Sequence, residues 1–190
     1  MSEKIIDNQS FIEVDYSGKR LNIHKYECCS FKNCTFQESL LSSITFMECT
    51  FENCDFGLAN VKSTAFKDVR FINCKLVGLK FCDCNDFLLS LYFEHCNLHF
   101  ASFRELLLQG TTFRNCNLKE VDFSAADLTN SIFDNCDLDR TIFDQSKLEK
   151  VDFFTAYNYN INPQTNRIKN ARFSKDGVSG LLGNYNIIIE

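Results

Sequence analysis

The chain has 190 residues, with one proline, seven glycines, no tryptophan, 11 cysteines and 20 phenylalanines, and its 45% apolar content is enough for a core and argues against disorder. A net charge of −5 argues against electrostatic binding of DNA, RNA or anionic lipid by the protein as a whole. The longest nearly apolar run, Phe87 to Phe93, is far shorter than the ~20 residues a membrane-spanning helix needs, so no membrane contact is expected.

The first residues, Met1 to Asp7, hold no apolar stretch of signal-peptide length, and residues 1–10 are expected to form an N-terminal cap. Without such a signal the cysteines read as reduced thiols, which predicts a cytoplasmic protein.

From Phe11 a five-residue period takes over. Every fifth residue from Phe11 to Phe81 is apolar, 15 in 15, and after a shift of two residues so is every fifth residue from Phe93 to Phe153, 13 in 13. Neither a helical nor a strand period produces this pattern. A 20-residue period lies on top of it. Phe31, Phe51, Phe71, Phe93, Phe113, Phe133 and Phe153 form one series, and Phe46, Phe66, Leu88 and Leu108 belong to another. Four pentapeptides therefore make one coil, and coils bury their apolar residues only against one another, as in a solenoid of about seven turns. The single step of 22 residues predicts a local bulge at Cys82–Phe87.

The residue two before each slot is small, as at Ala101, Thr111, Ala126 and Ser131. Ala126-Asp127-Leu128-Thr129-Asn130 and Cys136-Asp137-Leu138-Asp139-Arg140 resemble the repeat of the pentapeptide-repeat family, and the resemblance covers residues 9–156. It implies an all-β fold, a right-handed quadrilateral parallel β-helix with the Phe/Leu and the small residue facing inward.

Eight cysteines sit in the small slot, and six of them, Cys34, Cys54, Cys74, Cys96, Cys116 and Cys136, repeat with the coil. They read as packing thiols. Cys82, Cys84, His95 and Cys96 have the only spacing resembling a metal set, but Cys96 already fills a core slot. His24, His95 and His99 accompany no nucleophile motif, and no glycine-rich phosphate loop is present. No enzyme activity, cofactor or metal is expected.

Charge is uneven along the chain. Residues 120–152 hold nine acids, Glu120, Asp122, Asp127, Asp134, Asp137, Asp139, Asp144, Glu149 and Asp152, against three bases. Spread over four faces, they form either a solvated collar or a phosphate-like surface that fits a DNA-binding groove on another protein.

After Ala156 the repeat fades, and residues 157–190 read as a C-terminal cap. Asp176 is placed as a helix N-cap, Gly183-Asn184 as the stop, and Ile187 to Ile189 as a short strand. Leu181, Leu182, Tyr185, Ile187 and Ile189 are then available as a two-fold dimer interface. This order resembles the tails of Qnr-type and MfpA-type members of the family. That resemblance implies a homodimer that mimics DNA, binds DNA gyrase or topoisomerase IV without touching nucleic acid itself, and modulates quinolone susceptibility. The alternative is an interaction scaffold with an unrelated partner.

Overall fold

A computed structural model describes residues 4–185, 187 and 188. The five-residue period becomes one side of a square. Around Phe51, the side chains of Cys49 and Phe51 point inward and are buried, while Thr50 and Glu52 stay half exposed. Two residues after the slot the chain turns a corner in the left-handed region, as at Asn33, Asn53, Asn73, Asn115 and Asn135, where φ lies between 51° and 54°. Asparagine tolerates that conformation. The corner N–H is donated to the next coil, Asn33 N to Glu52 O at 2.9 Å and Asn53 N to Ile72 O at 3.0 Å.

The regular strands are β1 (Ile5–Asp7), β2 (Ser10–Ile12), β3 (Lys25–Glu27), β4 (Ser30–Lys32), β5 (Thr45–Met47), β6 (Thr50–Glu52), β7 (Ala65–Lys67), β8 (Val69–Ile72), β9 (Leu91–Glu94), β10 (Thr112–Arg114) and β11 (Ile132–Asp134). One face is a four-stranded parallel sheet, β1-β3-β5-β7, and the next a seven-stranded parallel sheet running from β2 to β11. Seven strands make six turns of regular ladder, one fewer than the expected seven. The other two faces pair through isolated parallel bridges such as Asn97↔Asn117 and Asp122↔Ile142. The fold is the expected right-handed quadrilateral β-helix.

The interior is filled by columns of aromatic rings. Phe11, Phe31, Phe51, Phe71, Phe93, Phe113, Phe133, Phe153 and Phe173 stack face to face at centroid spacings of 4.7 to 5.5 Å. Rings on adjacent faces of one coil meet edge-on, as Phe51 and Phe56 do at 5.0 Å and 84°. Both arrangements suit the aromatic quadrupole.

The structure adds detail at the start, at the bulge and in the tail. Residues 5–7 wind with the first coil, β1 pairing with β3 in register Ile6↔Tyr26. Leu88 does not fill a core slot. It is exposed with φ +59°, and Leu89 packs against the core instead, so the irregular stretch reaches beyond Phe87 and includes a short 3-10 turn at Phe81–Asp83. Beyond Ala156 the sequence offers one more repeat-like unit, Ala171 to Lys175, and the winding reaches it through the bridges Lys147↔Arg167 and Asp152↔Arg172.

The tail closes the far end as two short 3-10 helices, Val178–Leu181 and Gly183–Tyr185, in place of one continuous turn of helix. Its first turn starts at Gly177, whose N–H is accepted by Ser174 Oγ at 3.0 Å, so Asp176 is not the cap. Ile187 and Ile188 are exposed and not in a strand, and Ile189 lies outside the described residues.

Candidate interaction surface

The cysteine ladder is structural. All eight slot thiols are buried, and in the ladder of six each Sγ whose upstream bond is resolved points at a carbonyl of the coil before it, such as Cys54 to Phe31 O at 3.5 Å and Cys74 to Phe51 O at 3.3 Å. Burial pushes the thiol of Cys49 up to about 12 and that of Cys74 far above its ordinary range, so neither is a ready nucleophile. His95 stands exposed on a corner while Cys96 faces the core. Among the described residues no group of three or more His, Cys, Asp or Glu is placed to hold a metal ion. Among them, no helix is long and apolar enough to cross a membrane.

The acidic collar is largely neutralised by its own neighbours. Asp122 faces Arg104 at 3.8 Å, Asp134 meets Arg114 at 3.1 Å, and Asp137 meets Lys119 at 3.1 Å. Asp127 meets Lys147 at 3.0 Å, and Asp152 meets Arg172 at 3.0 Å. Arg140 reaches Glu120 at 2.9 Å and Asp139 at 3.4 Å. The bases come mostly from the coils on either side. Residues 100–175 hold ten acids and ten bases, so the excess read along residues 120–152 vanishes once adjacent coils are counted. Asp127 is only 8% exposed and accepts bonds from Thr129 and Lys147, which makes it part of the scaffold. Asp144 and Glu149 are the two collar acids for which the described residues show no ion pair.

The sequence pattern missed a second surface. Corner positions favour Gly or Asn, yet Leu58 and Phe100 occupy corners at φ +58° and +60°, with 73% and 54% of their surface exposed. They belong to one corner column, separated by Gly78. On another corner the bulge turns out Phe87 and Leu88, 67% and 65% exposed, with Lys67 Nζ 5.2 Å from the Phe87 ring centre. The signal was there to read, since an apolar residue stood two places after the slot, where the repeat is usually polar.

The tail lies against the last coil through its glycines. A Cβ on Gly180 would come within 2.7 Å of the Tyr159 ring, and one on Gly183 within 2.8 Å of Asn160. Leu181 packs against the core and Leu182 is half buried, while Val178, Tyr185, Ile187 and Ile188 face solvent.

These features define a parallel β-solenoid with a closed interior and a patterned surface. The pentapeptide repeat region model matches residues 24–103 and again 88–158, and the chain belongs to the pentapeptide-repeat family. No curated protein matches the sequence. Among solved structures, the chain is similar to HetL, a pentapeptide repeat protein involved in heterocyst differentiation regulation in the cyanobacterium Nostoc. The TM-score is 0.53 at 16% identity, over 92% of this chain and 89% of that one. It is also similar to QnrB1, a plasmid-mediated fluoroquinolone resistance protein, with TM-score 0.48 at 17% identity, over 95% of this chain and 99% of that one.

Proposed function

We propose that the protein is a non-enzymatic binding rod that holds a fixed surface against a protein partner. The observation that supports this reading most is the apolar corner column of Leu58 and Phe100. A leucine or phenylalanine in left-handed backbone is strained by about 1 kcal/mol, and its exposure adds nothing to folding. Asparagine or glycine would serve the corner better, and apart from the stack of Phe100 on His99 at 3.9 Å the described residues give the fold no reason for these side chains. Exposed aromatic and aliphatic anchors on a rigid support are what a protein interface uses. Affinity capture with the wild type and with Leu58→Asn/Phe100→Asn tests this. A partner retained by the wild type and lost by the equally stable variant supports the reading, and identical capture defeats it.

A second reading keeps DNA gyrase or topoisomerase IV as the partner, through mimicry of DNA. It is favoured by the nine acids of residues 120–152 and opposed by their ion pairs. In either reading the rod is a homodimer through Leu182, Tyr185, Ile187 and Ile188, because a short apolar tail left in water gains by meeting a second copy. Ile189 extends the same tail in sequence. A reducing cytoplasm suits the unpaired thiols.

A further inference from the structure

Eight of the 11 cysteines are buried in core slots, and Cys28 is exposed on a corner. Cys82 and Cys84 belong to neither group. They open the irregular stretch, where the chain leaves the ladder for the 3-10 turn Phe81–Asp83, and both are half buried. Both line one hollow of about 410 Å³, whose other walls are Asp83, Asp86, Arg104, Glu105 and Leu106.

Their spacing lets the two sulfurs meet. Residues two apart in sequence lie no more than about 7 Å apart between Cα atoms. Here the Cys84 N–H is donated to Phe81 O at 2.9 Å, which closes the turn and shortens that distance toward the ~5.5–6 Å usual across a disulfide. The flanking backbone holds the turn in place, with Cys82 N donated to Ser102 O at 3.1 Å and Asn85 N to Thr64 O at 2.9 Å.

The two thiols are not equivalent. Cys84 packs against the core, and burial, with Asp86 and Cys82 beside it, pushes its thiol up to about 12. Cys82 lies at the surface, its Sγ donating to Asp83 Oδ1 at 3.7 Å, and Arg104 shares its hollow. Cys82 is therefore the sulfur that a reagent from solvent meets first, with Cys84 placed to attack it second.

We propose that Cys82 and Cys84 are a reversible oxidation site, which a small disulfide closes into a ring across Asp83. The Cys82 thiolate, its proton lost to water, attacks one sulfur of oxidised glutathione. A bond from Cys82 to glutathione forms, the glutathione disulfide breaks, and one glutathione thiolate leaves with the electron pair. Cys84, deprotonated in turn, attacks the Cys82 sulfur and displaces the second glutathione. The dithiol has then lost two electrons and two protons, and one oxidised glutathione has become two reduced ones. The high effective concentration of Cys84 beside the mixed disulfide makes up for its small thiolate fraction. A ring this small is strained, so the bond is readily reduced again. It would restrain the segment that carries the exposed Phe87 and Leu88.

The test uses the full chain, folded and incubated with excess oxidised glutathione. Remaining thiols are then blocked with N-ethylmaleimide in denaturant, and the peptides are weighed. The peptide that holds Cys82 and Cys84 should be lighter by two hydrogens and unblocked, and dithiothreitol should reverse this. Exposed Cys28 should carry glutathione instead, and the core-slot thiols should be blocked as free thiols. In Cys84→Ser, Cys82 should keep its glutathione, because no thiol displaces it. In Cys82→Ser, Cys84 should take up glutathione at least tenfold more slowly than Cys82 does in the other variant. Cys82 and Cys84 both recovered as free thiols while Cys28 carries glutathione would overturn the proposal. So would a wild-type Cys82 that keeps its glutathione, or one that bonds to a second chain.

Discussion

The rings of Phe71 and Phe93 lie 5.5 Å apart and within 9° of parallel, although 22 residues separate them instead of the 20 that separate Phe51 and Phe71. The excess is absorbed between Phe81 and Leu91, so the coils on either side stay in register. Deleting Phe87 and Leu88 should therefore restore a 20-residue step and leave a folded rod. The check is a thermal melt followed by circular dichroism. A loss of the cooperative transition would show that the bulge is needed for winding.

The stacked column should dominate stability. Phe71→Ala opens a cavity beside two stacked rings and should destabilise by about 3–5 kcal/mol, whereas Cys74→Ala, which removes one small buried group, should cost about 1 kcal/mol. Denaturant titration of both variants gives the comparison. Equal losses would contradict the assignment of the large and small slots.

Asp127 gives the rod an acid-sensitive element. Burial alone would raise its carboxyl, but hydrogen bonds from Thr129 and Lys147 outweigh that and hold it below its ordinary 3.8. A carboxylate lowered on folding contributes its full stability above the unfolded value and loses it as pH falls through the folded one. Asp127→Asn should thus destabilise by about 1 kcal/mol at neutral pH, and the gap to wild type should close below about pH 4. Urea melts across that range measure it. A gap independent of pH would mean the charge on Asp127 contributes nothing.

The tail should be dislodged by a single methyl group. Gly180→Ala places a Cβ 2.7 Å from the Tyr159 ring, closer than side chains approach, so the first 3-10 turn must lift. If the apolar tail joins two copies, this variant and Leu182→Glu should both be monomers by light scattering at concentrations where the wild type is a dimer. A dimeric Leu182→Glu would exclude the tail contact.

How much of this was legible differs between core and surface. Phe51 and Cys54 could be placed inward from spacing alone, because a square coil repeats the same environment every five residues and admits one class of side chain at each slot. Leu88 was misplaced because the bulge takes its two extra residues after the corner, and a backbone choice between Leu88 and Leu89 leaves no trace in composition. The collar failed for another reason. Charges that meet in space, such as Arg114 and Asp134, lie a whole coil apart in sequence, so a window along the chain counts the acid and omits its base. The tail was misread at its start: the first 3-10 turn begins at Gly177 with no side-chain cap, and Ser174 rather than Asp176 accepts the Gly177 N–H.

The proposed reading is that the acids of residues 120–152, seven of nine paired with nearby bases, do not imitate DNA, and that the rod meets a partner through its apolar corners. DNA supercoiling by purified gyrase, with the rod in stoichiometric excess at physiological salt, tests this most directly. The account predicts an unchanged supercoiling rate. Inhibition that disappears on Asp144→Asn/Glu149→Gln, with the melting temperature unmoved, would contradict it.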